Sequence, residues 1–551
     1  MTGAEKAWQV LEDLGVSVVF GIPGGAILPL VDAMSHSPVE LVVTRNESAA
    51  AHAADGYARA TGRVGVCLAT SGPGGTNILT GLATAMADSA PIVALVGQVP
   101  VPLIGTDAFQ ETDIFGLSLG LTKQSFRVTD ANDMERILRE AFAIAQEGRP
   151  GPVLVELPKD IQTAPVTEER FEPAPRPRPA RPGPLDWARV RRLMRTSRRP
   201  VIYIGGGVVA SGTAPWVIRL AERLDAPVVS TLMGIGSVPS DHPHFLGMLG
   251  MHGTWTANHA VSACDLLLAL GSRFDDRVTG KVSAFAPHAR IVHAEIDRAE
   301  IGKIVRPDVT LYGDLREILP KLVRQAPIRR HPAWWRQLEA WKAEHPLRIP
   351  EPPDGVGIPS PRVMQALGKV LAPTDIVTTE VGQHQMWAAL FLPRSRPRTF
   401  LTSGGTGTMG YGFPAAIGAA WAGEGRRVVA IMGDGSFQMN LQELATVAQY
   451  RIPLLMVVMN NAGHGMVRQW QDLFFGGRRH GIDLANPDFV KLAEAFGIPA
   501  HRATTPAELE RALAAWNTTE GPRLVDVQIP VTEPVFPMVP AGEPLTAVRE
   551  S

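Results

Sequence analysis

Residues Arg427 to Val467 constrain the fold more than any other stretch. An apolar run from Val428 to Met432 breaks into Gly433, Asp434, Gly435 and Ser436, and a second run, Leu454 to Met459, ends in Asn460 and Asn461. Between them Leu441, Leu444, Ala445 and Ala448 recur at helical spacing. A strand, a crossover helix and a second strand predict parallel neighbours whose C-terminal ends lie side by side. Asp434 and Asn461 then stand where open α/β sheets bind ligands. A carboxylate beside an amide oxygen suits magnesium, which takes few protein oxygens and completes its octahedron with phosphate and water. The glycines admit a phosphate close to the backbone, and the next helix is expected to turn its N-terminus toward that charge. A lone Asp-Gly is usually a turn. The complete pattern predicts a metal-diphosphate clamp.

At 551 residues the chain exceeds what one core usually serves, so three domains are expected. Short apolar runs (Val18 to Phe20, Leu41 to Val43, Val64 to Ala69, Ile92 to Val96, Val153 to Glu156) alternate with helix-like segments over residues 1–168. Further runs near Val201 to Ile204, Val228 to Ser230, Leu266 to Ala269 and Ile291 to Ile296 place a second domain at 185–345, and the clamp falls in a third at 358–538. The expected class is α/β, with three doubly wound parallel sheets. A Pro/Arg stretch from Arg170 to Pro184 reads as a stiff extended linker, and a second Pro-rich stretch begins at His345. A net charge of −1 carries no basic excess for nucleic acid or anionic membrane. Two distant cysteines, Cys67 and Cys264, suggest neither a disulfide framework nor a zinc site. No apolar run is long enough to span a bilayer, and the N-terminus reads as an amphipathic helix rather than a signal peptide, so a cytoplasmic protein is expected.

Glu47 closes the strand Leu41 to Arg45 and precedes an alanine-rich helix, Ser48 to Ala60. Its plain reading is a capping box with Thr44. A carboxylate facing an apolar cleft can instead share a proton with a heterocycle nitrogen. GDGS, helix, strand, NN resembles the thiamine diphosphate motif. With GIPGGAILP, AADGYARATG, TSGPGGTN, IGTDAFQETD, GRPGPVLVELPKDIQ, LGMLGMHG, RFDDRVTGK, VGQHQMW, GTMGYG, MGDGSFQMN and GMVRQW, nearly the whole chain resembles the large subunits of the acetohydroxyacid synthase (acetolactate synthase) family.

That resemblance implies decarboxylation of pyruvate and condensation with a second pyruvate or with 2-oxobutyrate. It also implies thiamine diphosphate, Mg2+ and a structural FAD as cofactors, a homodimer or tetramer with sites shared between chains, and room for a small regulatory subunit. Asp434, Asn461 and the Gly463 carbonyl would hold the metal. Glu47 would activate the pyrimidine, with Phe109, Gln110 and Lys159 in the active site and Met409 beneath the bent cofactor. Gly382, Gln383, His384, Gly407, Gly433, Gly435, Ser436, Gly465 and Met466 would complete the cofactor contacts. Arg277 would meet the second substrate's carboxylate and Trp470 its side chain.

In the middle domain, Gly205, Gly206, Gly207, Val208, Val209 and Ala210 match the dinucleotide fingerprint loosely, but the next strand ends in Ser230 and Thr231 rather than an acid, which argues against NAD. The resemblance assigns FAD to Gly205 through Gly207, Leu249, Gly250, Met251, His252, Gly271, Arg273, Asp275, Arg277, Glu295, Ile296 and Asp314. Many family members differ around Asn46 and Ser48 (RHEQ), Gly75 (SGPGAT), Thr406 (GGLGTMG) and Gly463 (a bulkier residue). Two rivals remain at this stage. Another thiamine-dependent decarboxylase or carboligase would give aldehyde or tartronate semialdehyde, and a silent nucleotide-binding regulatory module would not need Glu47, Asp434 and Asn461 together.

Overall fold

The structure, a computed structural model, describes residues 1–168, 181–349, 356–423 and 425–550. Most of the Pro/Arg linker and part of the second Pro-rich stretch therefore lie outside the described residues. The described chain builds three six-stranded sheets in which every strand pair is parallel.

In spatial order the first sheet holds Glu40–Val43, Val18–Gly21, Gly65–Ala69, Ile92–Gln98, Val153–Pro158 and Gln124–Arg127. The third holds Phe400–Thr402, Ile376–Thr379, Val428–Gly433, Leu454–Asn460, Arg523–Gln528 and Ala500–Ala503. Numbered along each domain, both read 2-1-3-4-6-5. The second sheet holds Val309–Tyr312, Arg290–Glu295, Leu266–Leu270, Pro200–Ile204, Val228–Ser230 and Phe245–Met248. It reads 6-5-4-1-2-3, the dinucleotide-binding order seen from the other edge.

Central strands such as Ile92–Gln98 and Val428–Gly433 are buried throughout, as a parallel sheet covered on both faces requires. The edge strands Gln124–Arg127, Phe245–Met248 and Val309–Tyr312 are only partly buried, and polar residues interrupt the first and last of them.

The first and third domains meet where the helix Glu47–Thr61 crosses the helix Gly412–Ala420. A Cβ on Gly56 would overlap the Ala415 carbonyl, and one on Gly418 would overlap that of Ala53. Small residues at this crossing let the two backbones touch. Since both obstacles are backbone, Gly418→Ala should separate the helices and cost about 1–3 kcal/mol. A melting temperature unchanged from wild type would show that the crossing has slack.

Candidate active site

The two clamp strands pair in parallel with Gly433 opposite Met459, so Asp434 and Asn461 emerge side by side as the sequence predicts. Asp434 is 2% exposed, and its Oδ2 accepts from the Gly463 N–H at 3.0 Å and from Asn486 Nδ2 at 2.7 Å. Asn486 also donates to Asn460 Oδ1 and accepts from Gln438 Nε2, which fixes its orientation. Burial raises the Asp434 pKa, and these hydrogen bonds oppose the shift. Asn461 is buried beside it, while the Gly463 carbonyl accepts from the Gly465 N–H.

Gly382, Gln383 and His384 leave the strand Ile376–Thr379, next to the clamp strand and at the switch in strand order. A Cβ on Gly433 would stand 2.8 Å from the His384 ring, and one on Gly435 2.8 Å from the His464 ring. The glycines thus let two imidazoles close around the strand-to-helix turn. His384 Nε2 and Gln383 Oε1 are buried without partners, and burial holds His384 neutral, its pKa pushed down to about 3. Ser436 donates to the Val381 carbonyl. Gly465 has no room for a Cβ beside Gln383 Oε1 and Asn461 Nδ2. The expected phosphate-facing helix is corrected to a single turn, Asp434–Phe437. A dipole this short contributes little.

Glu47 is 9% exposed and is the first residue of its helix. The capping-box expectation fails: Asn46 is the N-cap, and Thr44 Oγ1 donates to the Asn46 carbonyl instead. Glu47 Oε2 accepts from Asn77 Nδ2 at 3.0 Å, and Oε1 lies against Gly74. Asn77 stands in TSGPGGTN, a motif the sequence singled out without giving this residue a role. Gln110, with φ at +61°, packs on Gly72 at the start of the same helix, Pro73–Asp88. Phe109 is 88% exposed, and Lys159 is exposed at the head of its own helix. Among the described residues no hydrogen bond joins Glu47 to the clamp.

Met409 is half-buried on an exposed loop held from both ends. Asp88 accepts from the Gly404 and Gly405 N–H groups, Thr84 Oγ1 bonds Thr408 Oγ1, and Glu380 accepts from Gly410 N at 2.6 Å and Phe413 N at 2.9 Å. Glu380, which sequence reasoning missed, is fully buried with its pKa pushed up to about 7 by desolvation.

A cavity of about 880 Å³ runs from the middle domain to the third. Every residue assigned to FAD lines it except Gly250, whose φ of +109° packs it on the Arg277 backbone. Gly207 and Gly271 approach so closely that a Cβ on either would stand 2.7 Å from the other's Cα. Ser230 Oγ, Thr231 Oγ1 and His252 Nε2 are buried without partners. Glu295 closes the fifth strand of its domain rather than the second, and burial pushes its pKa up to about 7. Gly407, Met466 and Trp470 line the same cavity from the third domain; Glu47, Phe109, Gln110 and Lys159 do not. The Arg277 guanidinium lies 5.3 Å from the Trp470 ring centre, whereas its approach to the exposed Asp276 is a loose 3.9 Å. Unpartnered buried polar atoms in both places, with the carboxylate and amide of the clamp, fit thiamine diphosphate with a divalent cation and a dinucleotide.

Because the Glu380 pKa is raised on folding, its contribution to stability is present below the ordinary glutamate value and is lost as pH rises through about 7. Glu380→Gln should carry a fixed penalty, since an amide NH2 would face a backbone N–H, but should flatten that decline. Parallel slopes of melting temperature against pH in the two proteins would contradict this.

The profiles of known families agree with the three-sheet division. "Thiamine pyrophosphate enzyme, N-terminal TPP binding domain" matches residues 1–117, the central domain of the same enzymes residues 187–322, and their C-terminal TPP binding domain residues 380–527. The probable acetolactate synthase large subunit of Methanocaldococcus jannaschii is 47% identical over 100% of this chain and 95% of its own length. The acetolactate synthase isozyme 2 large subunit of Escherichia coli is 47% identical over 98% of each, and the acetolactate synthase large subunit of Parasynechococcus marenigrum 48% identical over 98% of this chain and 90% of its own. With its clamp, its three parallel sheets and relatives of this likeness along its whole length, the chain belongs to the acetolactate synthase large-subunit family of thiamine pyrophosphate enzymes.

Proposed function

We propose that the chain decarboxylates pyruvate and joins the two-carbon unit to a second 2-oxo acid, giving 2-acetolactate from pyruvate or 2-aceto-2-hydroxybutyrate from 2-oxobutyrate, on the route to valine and isoleucine. The observation that carries this reading is the buried Asp434 beside Asn461, faced by the unpartnered atoms of His384 and Gln383. Bound thiamine diphosphate would supply a thiazolium ring as the sink for the electron pair released with carbon dioxide. Asp434, Asn461 and the Gly463 carbonyl would hold Mg2+ with the diphosphate, and His384 and Gln383 would meet that end. Met409 would support the cofactor from below. Glu47, held by Asn77, would share a proton with the pyrimidine nitrogen. FAD would take the interdomain cavity as a structural group.

The second 2-oxo acid places its carboxylate on Arg277 and its side chain on Trp470. A guanidinium offers a planar donor fork, and the indole a broad apolar wall. Product analysis of the purified protein with pyruvate, 2-oxobutyrate, thiamine diphosphate, Mg2+ and FAD tests the reading. Acetolactate and acetohydroxybutyrate are expected, and a chelator should abolish both. Acetaldehyde or tartronate semialdehyde as the main product would assign the chain to a different thiamine reaction.

The working unit is a homodimer or a tetramer built from it, in which Glu47 of one chain serves the Asp434 clamp of the other; a small regulatory subunit is a further partner. Two observations favour shared sites: among the described residues no hydrogen bond joins Glu47 to the clamp, and exposed apolar residues follow both stretches in sequence, Phe109, Leu117 and Leu119 around Gln110 and Met439, Val467 and Phe475 after the clamp residues. Chains carrying Glu47→Gln and chains carrying Asp434→Ala, each inactive, should recover part of the activity when mixed. Heterodimers that form and stay inactive would contradict sharing.

A further inference from the structure

After its last strand the chain leaves the third domain and crosses the helix Gly465–Phe474 toward the middle domain. Arg468 Nη1 donates to the Val531 carbonyl. Gln469, 5% exposed, accepts from the Val535 N–H at 2.9 Å and donates to the Val535 carbonyl at 3.0 Å, gripping one backbone residue from both sides. Its Oε1 also accepts from Gln383 Nε2 at 3.0 Å, and that nitrogen donates to the Glu533 carbonyl at 2.9 Å. Farther along, the Pro537 carbonyl meets His252 Nδ1 at 3.3 Å, and the Val539 N–H donates to the Met251 carbonyl at 2.7 Å. Met251 N–H in turn donates to the Arg277 carbonyl at 2.7 Å.

These bonds close a circuit. Arg277 lies over Trp470, Trp470 follows Gln469 on one helix, and Gln469 reaches Arg277 again through residues 533–539 and Met251. Among the described residues the Arg277 guanidinium has, besides Trp470, the loose Asp276 contact and the Met251 sulfur at 3.8 Å; its helix Asp276–Thr279 is one turn capped by Asp275 Oδ1, which accepts from the Arg277 N–H at 3.1 Å, and the helix carrying Trp470 has no side-chain N-cap. We propose that Gln469 is a positioning residue that, through the strap 533–539, sets the spacing of Arg277 and Trp470 and with it the choice of second substrate. The proposal rests on the reading of that pair as the second-substrate site.

The test uses holoenzyme with pyruvate and 2-oxobutyrate in competition, together with amide hydrogen exchange of the 533–539 segment. Gln469→Ala leaves the Val535 N–H and carbonyl without their buried partners. It should speed exchange across the segment and lower the ratio of acetohydroxybutyrate to acetolactate on the order of ten-fold, about the discrimination one methylene carries. Gln469→Glu keeps the acceptor for Val535 N–H and Gln383 but loses the donor to the Val535 carbonyl, so its ratio should fall between; it also carries the test if the alanine variant folds poorly. A merely structural role would depress both products together and leave the ratio where it was. Trp470→Leu is the control. If it shifts the ratio while Gln469→Ala loosens the strap without doing so, or leaves the strap's exchange unchanged, the positioning role is overturned. If Trp470→Leu also leaves the ratio fixed, the reading of the Arg277–Trp470 pair is what has failed.

Discussion

A carboxylate taken out of water is costly unless something supplies the missing positive charge. Asp434 is that carboxylate. The Gly463 N–H and Asn486 orient one of its oxygens, but neutral donors cannot balance a full charge. The surroundings follow from this need. Parallel pairing brings Asn461 alongside as a second oxygen donor, Gly433 and Gly435 clear the turn for His384 and His464, and Asn486 is locked by Asn460 and Gln438 so that its amide cannot swing away. In the function proposed above, a cation shared with the diphosphate would offset that cost.

The contact between the first and third domains carries a second constraint. The Glu47–Thr61 helix can touch the Gly412–Ala420 helix only through alanine and glycine, and it brings Asp55 and Arg59 into that interface. Tyr411 donates to Asp55 at 2.7 Å, Arg59 reaches Asp55, Asp88 and the Thr402 carbonyl, and Asp88 holds Gly404 and Gly405. Desolvation pushes the Asp55 pKa up to about 6 against the pull of Arg59. The packing that joins the domains therefore also fixes the loop bearing Met409, so a shift at this crossing would be felt at the site.

The juxtaposition of Asp434 and Asn461 was legible in the sequence because it is local: residues at the ends of two adjacent strands are named by the strands themselves. The buried central strands were legible for the same reason, as unbroken apolar runs. Edge strands such as Gln124–Arg127 were not, because one face is open and the apolar signal is diluted. Nor were Asn77, Glu380, Asn486 and Gln469. Each acts on a residue brought near by folding, from 30 positions away along the chain in the case of Glu47 and Asn77 to 66 for Gln469 and Val535, and single-sequence patterns carry no such pairing. Glu47 shows the opposite error. Its spacing from Thr44 suits a capping box, but the chain enters the helix at Asn46 and frees the carboxylate from that duty.

The positions where the chain departs from many of its relatives are structurally matched rather than loose. Asn46 Oδ1 accepts from both the N–H and the hydroxyl of Ser48, so the two unusual residues complete each other's hydrogen bonds and start the helix that carries Glu47. Gly75 leaves room for Ile114, which a Cβ would meet at 2.6 Å. Gly463 leaves room for Arg468, whose Nη2 a Cβ would meet at 2.5 Å, and that arginine is then free to grip Val531 at the start of the strap. Thr406 adds its hydroxyl to the set formed by Ser403, Thr408 and Thr84 around the Met409 loop, where a leucine would add none. In each case the altered side chain is answered by a neighbour, so a change at one of these positions is felt by the partner that packs on it or bonds to it.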